Sequence, residues 1–178
     1  MKLDRPDDAA SVLNNALGVT VSGGRDGHRD LHDMRMDVQT LLLLVEVHRL
    51  QQSSMDIGSA IPDTLMRARD MQKSVVNESR VLRSSVEAIE AEKLVLSVLC
   101  EQLGAALTER GNLQEAENCL NDALTTNPHN TAALYSMAVL ARTKGISVED
   151  EHTYVPFYIH DYSQTSNNSS PGVHIYII

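Results

Sequence analysis

The chain has 178 residues, with 15 Lys+Arg against 24 Asp+Glu and a formal net charge of −9. No basic block offsets that charge, so a phosphate backbone is repelled and nucleic acid is excluded as a partner. The length suits one ordinary domain or a short repeat array, and the longest apolar run, residues 41–45, is too short to span a bilayer.

Residues 7–17 place Ala9, Val12, Leu13, Ala16 and Leu17 at helical spacing, with Pro6 and two acids in the first turn. This predicts a short amphipathic helix. Residues 18–30 mix Gly, Ser, Asp and Arg without apolar periodicity and read as an exposed loop. Residues 37–51 predict a second helix through Val38, Leu41, Leu42 and Val45, which Leu43, Leu44 and Val47 make apolar nearly all round. Such a helix needs cover on two sides. Residues 53–62 read as a second loop, and residues 63–94, free of Gly and Pro, as one long helix or two abutting ones.

The most informative stretch is residues 97–145. Leu96, Leu99, Cys100, Leu103, Gly104 and Leu107 form one helical face that stops at Gly111. Leu113, Ala116, Cys119, Leu120, Ala123 and Leu124 form a second face, closed by Asn127 and Pro128. A third helix follows, with Thr131 as the expected cap and Ala133, Leu134, Met137, Ala138 and Ala141 turned inward. Beyond Gly145 the pattern breaks. Five of the six aromatic residues, Tyr154, Phe157, Tyr158, Tyr162 and Tyr176, fall there, together with a polar Ser/Asn-rich run, so residues 146–178 read as a mostly disordered tail.

The candidate chemical sites have plainer readings. His28, His32 and Asp33 could share a metal, but they adjoin a Gly-rich loop and lack a fourth ligand. Cys100 and Cys119, the only thiols, sit at packing positions, are too few for a disulfide scaffold and suit a reducing compartment. Ser22-Gly23-Gly24 lacks the Gly-Lys-Ser/Thr of a phosphate loop. The Asn77 and Asn168 sequons have no signal peptide to make them meaningful, because charge and a Pro occupy the first eight residues. Glu87 with Glu90, and Glu115 with Glu117, read as solvated faces rather than as catalytic pairs. Val75, Val76, Val81, Leu82, Val86 and Ile89 do not hold a clean heptad, so packing against neighbouring helices is expected in place of a coiled coil.

A two-helix unit of about 34 residues is the tetratricopeptide signature. With Ser97 as its first position, Leu103 and Gly104 match its Leu-Gly pair, Cys100 and Leu107 replace its Trp and Tyr, and Gly111 fits its turn. Ala116 and Ala123 match its two small residues, Leu120 its bulky position and Pro128 its closing Pro. Gly104 is needed where the helices cross closest. Thr131 opens the next unit, where Leu134 and Ala138 repeat the face. The expected fold is therefore an all-α, tetratricopeptide-type solenoid. Residues 1–95 form divergent helices with inserted loops, residues 96–145 one repeat plus the first helix of the next, and residues 146–178 a non-repeat tail.

The order of these pieces resembles the tetratricopeptide repeat protein 21 family, a subunit of intraflagellar transport complex A. The resemblance runs through residues 7–17, 38–49, 65–72 and 103–145. It implies a non-enzymatic protein-interaction scaffold that acts in retrograde ciliary transport and ciliary protein localisation. It further implies complex A subunits as partners, a place in the cytoplasm, cilium and ciliary base, and no cofactor, metal, small-molecule substrate or membrane insertion. Where that family continues into further repeats this sequence turns into its tail, which suggests a truncated form. The alternative is a generic adaptor for short peptides or chaperone tails. The inner positions that would hold a carboxylate, Glu101, Ala105, Tyr135 and Val139, carry no cation.

Overall fold

The computed structural model describes residues 6–22, 30–51 and 60–145, and every regular element among them is helical. The helices are α1 (Pro6–Ser22), α2 (Leu31–Leu50), α3 (Ala60–Val81), α4 (Val86–Glu109), α5 (Leu113–Thr126) and α6 (Thr131–Thr143). The chain divides into two compact units, Met1–Leu140 and Ala141–Ile178. Helices α1 to α5 and α6 as far as Leu140 belong to the first; of the second, only residues 141–145, the end of α6 and its stop at Gly145, are described. The proposed tail lies outside the described residues.

Each helix from α1 to α5 packs on the next, so the first unit is a series of helices stacked in chain order. α1 starts at Pro6 with Asp7 and Asp8 in its first turn, as proline geometry and the helix dipole favour, and it continues to Ser22 through residues that lack apolar periodicity. α2 begins at Leu31 rather than near Asp37, because Asp30 accepts a hydrogen bond from the Asp33 N–H at 2.9 Å and caps the helix early. Its buried face is Met34, Asp37, Val38, Leu41, Leu44 and Val45, whereas Leu43 is exposed. The cover on two sides that the sequence requires comes from α1 and α3, which both pack on this helix. Pro62 belongs to the first turn of α3, where its missing N–H costs nothing, and not to a loop.

The Gly-free stretch after residue 63 is two helices. At the end of α3 the Ser84 N–H reaches the Ser79 carbonyl at 2.9 Å and the Arg83 N–H the Arg80 carbonyl at 3.1 Å, a Schellman stop with Arg83 at φ 53°. Ser85 then caps α4 by accepting from the Ala88 N–H at 3.2 Å. The Glu87 carboxyl is held below the usual carboxylate range by its own backbone N–H and by Ser85. The same stop recurs after α4, where the Asn112 N–H meets the Leu107 carbonyl and the Gly111 N–H the Thr108 carbonyl, both at 3.0 Å. Here a glycine, at φ 79°, takes the left-handed position. The cap of α6 is Asn130, which accepts from the Ala133 N–H at 3.0 Å, so Thr131 is the first helical residue rather than the cap.

The core is aliphatic, as the scarcity of aromatic residues requires. One apolar cluster runs from Leu17, Val38, Leu41 and Leu44 through Leu65, Ala68 and Val75 to Leu99, Leu103, Leu107, Ala116, Leu120 and Leu140.

Candidate protein-interaction surface

The α4–α5 pair is the tightest joint. A Cβ built on Gly104 would lie 2.6 Å from Leu120 Cγ and 3.2 Å from the Ala116 carbonyl oxygen, closer than real side chains approach. Glycine is thus the residue that lets the helices touch. Leu103, Leu107, Ala116, Leu120 and Ala123 are all buried around that contact, and Gly111 turns the chain in solvent. Pro128 is exposed after α5, and Leu134 and Ala138 on α6 are exposed as well. The buried residues of α6 in the first unit are Ala133, Ser136 and Leu140, with Met137 partly buried against the cluster, so Ala133 and Met137 turn inward as expected whereas Leu134 and Ala138 do not. Leu140, which the sequence pattern did not place inward, is buried in the apolar cluster.

Polar side chains tie helices that are not consecutive. Arg35 Nε on α2 donates to Glu92 Oε1 on α4 at 2.7 Å, and the fully buried Gln72 on α3 donates to the other Glu92 carboxylate oxygen at 2.8 Å and to its main-chain oxygen at 3.0 Å. One carboxylate therefore clamps three helices. Lys73 on α3 reaches Asp122 on α5 at 3.5 Å. Between α4 and the helices after it, Ser97 Oγ donates to the Ala123 carbonyl at 2.8 Å, Asn130 Nδ2 donates to Ser97 Oγ at 2.9 Å, and Ser136 Oγ donates to Glu101 Oε1 at 2.8 Å.

These bridges make α2, α4 and α6 successive members of one row. Met36, Leu43 and Leu50 recur every seventh residue on α2 and are exposed. On α4, Leu94, Val95 and Val98 are exposed, and on α6 Tyr135 is 72% exposed. Each of these residues lies on the side of its helix away from the core, and the single described aromatic ring stands in solvent. An exposed apolar stripe of this kind is what a protein partner covers. Glu101, Ala105 and Val139 are half-buried in the same row.

The other candidate sites have structural roles. Cys100 and Cys119 are buried free thiols; burial, followed by the Asp122 charge, pushes Cys100 up to about 11, and burial pushes Cys119 up against the opposing Arg69 guanidinium. Neither is an activated nucleophile. Arg69 donates to Cys119 Sγ at 3.7 Å and pairs with Asp70 at 2.8 Å. His28 lies outside the described residues, while His32 and Asp33 are exposed in the first turn of α2. Among the described residues no three His, Cys, Asp or Glu side chains are grouped to hold a metal. Glu90 pairs with Lys93 at 2.6 Å, and Glu117 accepts from Gln114 at 3.5 Å. Val75 and Val76 are buried, while Val81, Leu82 and Val86 are exposed at the α3–α4 turn. No described helix is long and apolar enough to cross a membrane.

Helices stacked in series, closed by small residues and carrying exposed apolar side chains on α2, α4 and α6, define a helical-repeat protein of the scaffold type. The family model of the tetratricopeptide repeat protein 21 fourth ARM domain matches residues 1–124, from before α1 to the last turn of α5. The chain belongs to the tetratricopeptide repeat protein 21 family. No curated protein and no solved structure matches it.

Proposed function

We propose that the chain is a non-enzymatic scaffold that joins intraflagellar transport complex A, in the cytoplasm, cilium and ciliary base, and serves retrograde transport and ciliary protein localisation. The observation that carries this reading is family membership across residues 1–124, over helices whose exposed apolar row faces away from their own core. Leu103, Gly104, Leu107, Gly111, Ala116, Leu120, Ala123 and Pro128 form the packing frame of one tetratricopeptide unit within residues 96–145, and Leu134 and Ala138 offer the start of the next unit an apolar side. Residues 1–95 form the divergent helices before that unit. Contacts are made by protein surfaces and need no cofactor.

Capture of a free carboxylate terminus is a poor fit to this row. Glu101 is acidic and already accepts from Ser136, and Ala105, Tyr135 and Val139 bring no cation. The test is affinity purification of the tagged chain from ciliated cells, with mass spectrometry of the proteins that come with it. Enrichment of complex A subunits is expected. Recovery of chaperones alone would contradict the reading.

A further inference from the structure

The sequence has no basic block, yet folding assembles a basic patch. Lys73 and Arg80 lie seven residues apart on one face of α3, and α4 brings Lys93 beside them. All three line a cavity of about 420 Å³, whose other walls are Val76, Asn77, Leu96, Thr125 and Thr126. No carboxylate is among these lining residues, in a chain whose formal charge is −9. Donors surround an apolar floor: two ammonium groups, a guanidinium, an amide and two hydroxyls stand around Val76 and Leu96.

We infer that this cavity between α3, α4 and α5 binds a phosphate monoester carried on a peptide, a phosphoserine or phosphothreonine segment of a partner protein. The local charges select for a dianion. Lys73 already faces Asp122 at 3.5 Å and Lys93 faces Glu90 at 2.6 Å, and the carbonyl end of α5 also opposes an anion. A single carboxylate gains little against those competitors. Exposed ion pairs are weak, however, and a phosphate with close to two charges and three acceptor oxygens can draw both lysines from their partners. Arg80 is exposed, forms no ion pair among the described residues and is shaped for bidentate phosphate contact.

A peptide fits better than a lipid surface. The cavity is cut between helices, where Val76 and Leu96 can take an apolar side chain next to the phosphate. An anionic bilayer would meet the net negative charge of the whole chain. This site is separate from the α2, α4 and α6 row, and the purified chain alone tests it, without transport-complex subunits.

The experiment records amide shifts of the ¹⁵N-labelled full chain against four probes. They are inorganic phosphate, a short peptide with phosphoserine between two leucines, its unphosphorylated twin, and phosphatidylcholine vesicles doped with phosphatidylserine. The phosphopeptide, and phosphate at higher concentration, should shift residues 73–80, 93–96 and 125–126, while the twin and the vesicles do not. Arg80→Gln and Lys93→Gln, both away from the core, should each weaken the phosphopeptide about tenfold with unchanged helical circular dichroism. Absence of shifts with both phosphate probes, or shifts unaltered in both variants, overturns the site. Vesicle binding without peptide binding overturns the peptide as its source.

Discussion

Two regions of the stack are closed by opposite means. Between α4 and α5 the contact is made by absence: Gly104 has no side chain, and Ala116 and Ala123 have little, so Leu120 drops against bare backbone. Between α2, α3 and α4 the contact is made by a charge, with Glu92 held by Arg35 and by the buried Gln72. The first arrangement tolerates no added atom, and the second tolerates no lost partner. A helical repeat can thus use steric fit at one joint and polar satisfaction at the next, and the two joints fail under different substitutions.

The largest expected effect is at the steric joint. Gly104→Ala should cost about 2–3 kcal/mol by overpacking, measured by urea unfolding followed by circular dichroism. Leu120→Ala should cost about 2–5 kcal/mol through its cavity, and the double variant should cost clearly less than the sum, since each change makes room for the other. Additive costs would show that Gly104 and Leu120 do not meet. At the polar joint, Glu92→Ala leaves the buried Gln72 amide with only the main-chain oxygen of its two acceptors, removes the partner of Arg35, and should cost about 1–3 kcal/mol. Asn130→Ala removes the α6 cap and the donor to Ser97, for about 1–2 kcal/mol.

Smaller effects separate the joints by pH. Burial lowers His48 on α2 below 6.5, so the unfolded chain takes up the proton first as pH falls. Stability should decline as pH drops through 6.5 and level off below the folded value; a His48→Gln variant should lose that decline. Cys100 is raised from 9.0 to about 11, so the unfolded thiol ionises first and stability should fall between those values as pH rises. A stability profile unaffected by Cys100→Ala in that alkaline window would contradict the assignment. Least of all, Arg83→Gly should stabilise by about 0.5–1 kcal/mol, because glycine takes φ 53° without strain.

The steric joint was legible in the sequence because its demands fall on residue types that have few other uses at fixed spacing. Gly104, Ala116, Ala123 and Gly111 announce a close crossing and a turn. The polar joint was not legible, since nothing in the charged run of residues 63–94 sets Gln72 and Glu92 apart from the other polar side chains, and only the fold shows that one is fully buried. Two abutting helices are one of the readings of residues 63–94, but the place of the break was hidden, because Arg83 occupies a position where glycine is the usual signal. The α6 face was only partly legible for a related reason. Ala133 and Met137 turn inward as the pattern requires, but Ser136, buried and bonded to Glu101, lies inward where Leu134 and Ala138 face out. The basic cavity came from residues separated by helix turns and a loop, which no linear charge count detects.

The central claim is that the α2, α4 and α6 row is the surface by which this scaffold holds its partners. Its most direct test compares the tagged native chain with a Leu94→Asp, Val98→Asp variant in affinity purification from ciliated cells, quantified by mass spectrometry. Both positions are exposed, so helical content and unfolding midpoint should stay unchanged. The account predicts that the native chain enriches complex A subunits and that the variant loses them. Equal recovery by both chains would contradict it.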